Sequence, residues 1–280
     1  MSDNKNTFSQ QGYKVIKSAI SQKLIKETQI KILEEMSGTK KISNLNERSL
    51  YKKFKNCVDK LNTNEFDFIS QISNYLIYSN QISKILKEKR IIKFLKEILG
   101  SDLSHINDPH ILSLNLPKKN DSKKNYFFKD WHQEIWSGSD IRTIQMWTPI
   151  FQKGYDDGQI EIIEGSHGWG HVPHKNRSPI NLPNKFKTKK IKLNKGDVIF
   201  FSTLLMHRSL KCENPRLASP ILIKNFKNYS HSFEDNRNWI IFSYSEITKI
   251  ERILGNHYLS PFRIDGTNVK SLIGGTIKKK

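Results

Sequence analysis

The stretch Thr143-Ile144-Gln145-Met146-Trp147-Thr148-Pro149-Ile150, followed by Ile160-Glu161-Ile162-Ile163 with Gly154, Asp156, Asp157 and Gly158 between them, decides how this chain is read. Short apolar runs rich in β-branched and aromatic residues, bounded by turn formers, are strands, because such side chains pack well on a pleated surface and are too few for a helix face. The same texture recurs at Ile111 to Leu116 and at Val198 to Phe201, with Gly, Pro, Asn and Asp clusters between the runs. Everything after Gly100 therefore reads as an all-β core. Short strands with no helical repeat between them predict a double-sheet jelly roll, which leaves a ligand-sized mouth at one end.

Ahead of Gly100 the pattern changes, and residues 8–100 read as mostly helical. A short extended piece at Tyr13 to Ile16 leads into a helix capped near Ser21 and stopped at Gly38, with Ile25, Ile32 and Met36 on its buried face. Leu50, Tyr51, Phe54, Val58 and Leu61 recur at helical spacing with lysines between them. Phe66, Ile69, Ile72 and Leu76 follow the same rule, and Ile91, Phe94, Leu95 and Ile98 close the region. Downstream, Asn228 to Asn238 is polar and loop-like, and Trp239 to Ile250 precedes a lysine-rich tail. The expected organisation is one domain over 1–280: a helical part at 8–100, a β core at 101–226 and a C-terminal extension at 227–280.

With 280 residues, 36% of them hydrophobic, and 15 Phe, 9 Tyr and 5 Trp, the chain has the apolar surface for a sizeable core. Cys57 and Cys212 sit in unrelated patterns, so neither a disulfide framework nor a cysteine metal site is expected, and a reducing cytoplasm fits. The N-terminal residues are polar where a signal peptide needs an apolar run, and no run reaches the ~18 apolar residues of a spanning helix. A net charge of +20 attracts anions. It consists mainly of lysines scattered through a chain also rich in Ile and Asn, which is what compositional bias gives. No helix-turn-helix, zinc finger or aromatic RNA motif accompanies the charge, so no specific nucleic-acid partner is expected.

The chemistry centres on Trp131-His132-Gln133-Glu134. On an extended strand residues i and i+2 project to one side, so an imidazole nitrogen and a carboxylate oxygen can share a metal ion. His207, just after Phe200-Phe201-Ser202-Thr203-Leu204-Leu205-Met206, would complete two histidines and a carboxylate, the facial triad of non-haem Fe(II) oxygenases. Alone, the His132 and Glu134 pair says little, because so short a pattern is common. The ordered set says more: the pair, then Glu164-Gly165-Ser166-His167, Lys195-Gly196-Asp197-Val198-Ile199-Phe200-Phe201, His207-Arg208-Ser209, and Arg216.

That set, with the Phe8-Ser9-Gln10-Gln11-Gly12-Tyr13 opening, resembles the phytanoyl-CoA dioxygenase family. The resemblance implies a double-stranded β-helix fold, and oxidation of a small molecule with Fe(II), 2-oxoglutarate and O2, releasing succinate and CO2. It implies His132, Glu134 and His207 as metal ligands, Arg216 as the guanidinium that grips the far carboxylate of 2-oxoglutarate, and Ser209 as a hydroxyl on the same carboxylate. A guanidinium fork matches a carboxylate better than a lysine does. The family usually has aspartate where this chain has Glu134, whose extra methylene must be absorbed by backbone or rotamer. The carboxylate also argues against halogenation, since related halogenases lack it so that chloride can bind.

Gly165 is expected to form a turn and His167 to be structural. His171 and His174, with Pro173 between them, read as a loop or edge strand near the substrate entrance. Gln145 and Trp147 share one strand parity, so they line the pocket together or not at all. The expected substrate is a small molecule, and an anionic one if the positive surface is used. The competing class is a jelly-roll protein that binds a small acidic ligand with zinc or with no metal. Arg216 in its expected place favours the dioxygenase.

Overall fold

The computed structural model describes residues 3–39, 42, 45–61, 65–108, 111–117, 130–154, 158–228 and 239–253. Its first part is helical around one strand: α1 Asp3–Gln11, β1 Tyr13–Ile16, α2 Gln22–Ser37, α3 Glu47–Asp59, α4 Glu65–Tyr78, α5 Gln81–Leu86 and α6 Lys89–Leu99. There follow β2 Leu103–Ile106, β3 Ser113–Asn115, β4 Ile144–Phe151, β5 Ile160–Ile163, β6 His174–Lys175, β7 Ser178–Pro179, β8 Thr188–Ile191, β9 Val198–Ser202, β10 His207–Ser209, β11 Arg216–Asn225, β12 Trp239–Ser243 and α7 Glu246–Ile253. The helix over Asp3–Gln11 is not foreseen in the sequence, where only the extended piece after it stands out. The polar segment at 229–238 and the lysine-rich tail lie outside the described residues.

Among the described residues the strands form two main antiparallel sheets and a separate β6-β7 hairpin. The larger runs β1-β9-β4-β11-β2-β12, with β3 also beside β11, and the smaller runs β10-β5-β8. Alternation sorts their side chains into two cores. Val198 and Phe200 of β9 and Leu217, Ile221 and Ile223 of β11 join a cluster with the helices, while Ile199, Phe201 and Ala218 face inward. The inward set meets Ile160, Ile162 and Ile191 of the smaller sheet. This is the double-stranded β-helix architecture, with helices over the outside of the larger sheet.

Aromatic contacts fix that cover. Phe54 of α3 stacks on Phe151 of β4 with centroids 4.3 Å apart and planes 8° apart. Phe94 of α6 lies 4.6 Å from Phe200, and Phe8 of α1 packs edge-on against Phe94 at 5.8 Å. Ser21 precedes α2, but its hydroxyl donates to Glu88 at 2.8 Å instead of capping the helix, tying the start of α2 to the start of α6. Gly38 ends α2 in the left-handed conformation at φ 64°. The Lys195-Gly196-Asp197 turn is structural: buried Asp197 accepts from Ser18 N at 2.8 Å, Lys17 Nζ at 3.0 Å and Asn194 N at 2.9 Å, clamping the exit of β1 to the entry of β9.

Candidate active site

His132 and His207 are locked together by backbone before their side chains meet. His132 N donates to His207 O at 2.9 Å and His207 N donates to His132 O at 3.0 Å, one isolated antiparallel bridge. Here the structure corrects the sequence reading. The His132 to Glu134 segment is not a strand: His132 has only this bridge, and Glu134 opens a 3-10 turn, Glu134–Ser137. Gln133 between them is extended (φ −114°, ψ 143°), and this alone keeps the two side chains on one side.

Each imidazole is then oriented by a carbonyl. His132 Nδ1 lies 2.7 Å from Asp130 O, and His207 Nδ1 lies 2.9 Å from Leu205 O. A carbonyl can only accept, so Nδ1 carries the proton in both rings and Nε2 presents its lone pair. Both Nε2 atoms face Glu134 Oε1, at 3.5 Å from His132 and 3.4 Å from His207. All three residues are buried, and one ligand atom from each lies within 4.8 Å of the others. Two neutral imidazoles and a carboxylate so placed suit a divalent iron, with one side left open. Glu134, one methylene longer than the family's usual aspartate, stands at the first residue of the 3-10 turn.

That open side is a cavity of about 270 Å³ bordered by His132, Glu134 and His207. Gln145 and Trp147 both border it, as their shared parity required, and Phe201 lies 4.6 Å from the His207 ring. Ser209, opposite Ile160 in the smaller sheet, borders it too. Arg216 is fully buried at the start of β11, on the inward parity of Ala218, with its guanidinium carbon 4.9 Å from the Trp147 ring centroid. It does not itself border the cavity among the described residues. Gly158, at φ 65°, makes room for it: a Cβ there would stand 3.2 Å from Arg216 Cδ.

His167 is no ligand. Its Nε2 donates to Ser9 O at 3.0 Å, and its ring fills the place of a side chain at Gly12, where a Cβ would meet ring atoms at 2.4 Å. Gly165, at φ 77°, turns the chain as expected. His174 lies in the small β6-β7 hairpin, stacked on Trp136 at 4.5 Å, and His171 packs edge-on against it.

Two residues go unnoticed in the sequence. Buried Gln133 donates from Nε2 to Gly170 O at 2.9 Å and Leu204 O at 2.6 Å, and accepts from Val172 N at 2.9 Å. An amide between His132 and Glu134 carries no pattern of its own. Arg177 borders the cavity from the hairpin turn, and although Asn176-Arg177-Ser178-Pro179 has turn composition, nothing in it indicates what the turn faces.

The model of the family described as Phytanoyl-CoA dioxygenase (PhyH) matches residues 8–217. The chain belongs to the phytanoyl-CoA dioxygenase family. It is accordingly an enzyme of the iron- and 2-oxoglutarate-dependent oxygenase class, with iron and 2-oxoglutarate as its cofactor and co-substrate. No curated protein matches the chain. Solved structures share the family's fold at low identity. The non-heme monooxygenase ThoJ, in its apo form, is 13% identical over 87% of this chain and 85% of its own, with a TM-score of 0.57. The non-heme α-ketoglutarate-dependent epimerase SnoN from nogalamycin biosynthesis is 12% identical over 78% of each chain, at 0.52. EctD from S. alaskensis, with 2-oxoglutarate and 5-hydroxyectoine, is 17% identical over 82% of this chain and 78% of its own, at 0.51. At such identities the likeness is one of fold, and a monooxygenase and an epimerase on one fold show that the fold does not set the outcome. No helix of the described residues is long and apolar enough to cross a membrane.

Proposed function

We propose that this enzyme hydroxylates a small molecule while 2-oxoglutarate is converted to succinate and CO2, with His132, Glu134 and His207 as iron ligands and Arg216 and Ser209 as the grip on the far carboxylate of 2-oxoglutarate. The observation that carries the reading is the convergence of two oriented Nε2 atoms and one carboxylate on the wall of a half-open cavity bordered by polar and apolar side chains alike. Iron and 2-oxoglutarate held there supply the oxidising power that places an oxygen atom on a C–H bond. The protein's own residues do the rest. Asp130 O and Leu205 O hold the imidazoles in the ligating tautomer, so little reorganisation remains when a metal arrives. Ile106, Leu112, Trp147, Phe201 and Leu222 border the chamber and give the substrate an apolar wall beside the triad. Arg216, buried with its guanidinium over the Trp147 ring, supports the carboxylate role, because a planar guanidinium fork suits a planar anion.

Anaerobic titration of the Fe(II)-loaded protein with 2-oxoglutarate tests the grip. Arg216→Lys is expected to weaken binding about tenfold or more, since an ammonium cannot reproduce the bidentate fork, and Ser209→Ala by less. Unchanged affinity in Arg216→Lys would contradict that assignment. A metabolite screen, reading succinate above the basal rate, tests the outcome: hydroxylation predicts a product with one added oxygen atom. An isomerised or ring-closed product of unchanged oxygen count would overturn hydroxylation while leaving the class intact.

A further inference from the structure

Resting on the oxygenase reading of this cavity, we propose that Arg177 is its specificity residue and that the substrate is an organic anion, an apolar body carrying a carboxylate or phosphate that Arg177 receives at the mouth. Among the described residues bordering the cavity, Arg177 is the one permanent cation; Asp108 and Glu134 are the carboxylates. Glu134 belongs to the ligand set, which leaves Asp108 and Arg177 to polarise the mouth. Ile111, Leu112 and Leu222 give the substrate body an apolar wall. A guanidinium has five N–H donors, enough to serve an incoming oxyanion alongside its neighbours.

Arg177 is exposed, and its backbone conformation sets it apart from an ordinary surface arginine. Asn176 and Arg177 form the two-residue loop between His174-Lys175 and Ser178-Pro179, with φ of 51° and 60°. Positive φ at both loop residues is the pattern of a type I′ hairpin turn, which asparagine tolerates and where the second place favours glycine. An arginine there carries backbone strain, and such strain persists where the surroundings over-determine it.

The surroundings do so, and they lead back to the ligand motif. Gln133, between His132 and Glu134, holds Gly170 O and Val172 N. Trp136, in the turn that Glu134 opens, donates Nε1–H to Val172 O at 3.0 Å and stacks on His174 at 4.5 Å with planes 13° apart. Ile180 N closes the hairpin base on Pro173 O at 2.9 Å. The ligand motif and the hairpin are thus tied together, and the exposed Arg177 side chain leaves the hairpin turn beside the cavity that the ligand motif borders.

The test uses phenylacetate and its neutral counterpart phenylacetamide, titrated calorimetrically under nitrogen into protein carrying Fe(II) and 2-oxoglutarate. Wild type is expected to bind the acid about tenfold or more tightly than the amide, the worth of one charge-assisted contact. Arg177→Gln should abolish the preference and Arg177→Lys should keep part of it. Arg177→Gly, which relieves the backbone strain, should keep or raise the melting temperature and still lose the preference. Wild type that binds both probes alike or neither, or an Arg177→Gln protein that still prefers the acid, overturns the proposal. Titration of wild type with 2-oxoglutarate alone separates the two readings: binding there with no preference for the acid sinks only the Arg177 proposal, whereas no binding sinks the oxygenase assignment as well.

Discussion

Gln133 is bracketed by His132 and Glu134, yet its side chain turns away from them into backbone, satisfying two carbonyls and one N–H in a buried setting. Removing an amide with three buried partners strands groups that cannot reach water, which costs about 1–3 kcal/mol. Gln133→Ala is therefore expected to lose that much stability in chemical denaturation, and also about ten- to a hundredfold in Fe(II) affinity, the usual effect of removing an orienting neighbour. Stability loss with unchanged metal affinity would mean that Gln133 only fastens the 170–172 segment. At this scale the sequence shows what ordered motifs can show. His132, Glu134 and His207 are found through the motifs around them, and their convergence is a matter of geometry that the coordinates supply. Gln133 and Arg177 are not found, because an amide in a ligand motif and an arginine in a turn declare no chemistry until their neighbours are known.

Elements obey local periodicity wherever burial is one-sided or continuous. Leu50, Phe54 and Val58 mark the buried face of α3, and Ile160 to Ile163 is a strand with the bounds its apolar run suggests. Alternation fails at His132 to Glu134, because a bridge from a distant segment and a 3-10 turn decide the conformation there. Between helices and sheet, Phe200 is fully buried against Phe94. Phe200→Ala is expected to lower unfolding free energy by about 3–5 kcal/mol, with the denaturant slope unchanged. Between β2 and β12, His105 is 1% exposed, touches the Phe242 ring and lies 2.9 Å from Ile106 O through Nδ1. Burial pushes its pKa below the ordinary histidine value, and the Ile106 carbonyl only partly opposes this. A depressed folded-state value means that the unfolded chain takes the proton first. The stability from a neutral His105 is present above about pH 6.5, the ordinary histidine value, and is lost as pH falls toward the folded value. His105→Leu should flatten the fall in unfolding free energy between pH 7.5 and 5.5 relative to wild type; parallel curves would show that His105 does not drive it.

For the whole molecule, the two-layer plan is legible because strand and helix textures segregate at Gly100, but the order of strands is not. Strand β1 lies beside β9, joining distant parts of the chain through the Asp197 clamp, and such pairing leaves no local signature. The cavity draws on several segments from Ile106 to Leu222, which is why the substrate cannot be read from any one motif. Nor does the charge of +20 identify a partner: several described cations are spent in pairs such as Arg208 with Glu161 at 2.7 Å. What the molecule as a whole does rests on whether the assembled triad drives turnover. The direct measurement is succinate formation by anaerobically purified protein given Fe(II), 2-oxoglutarate and air, beside His207→Ala. Succinate from wild type, falling to background when His207 Nε2 is removed, is the result expected. No succinate from wild type, with neither Fe(II) nor 2-oxoglutarate binding in titration, would contradict it and leave a jelly-roll protein whose triad holds no catalytic iron.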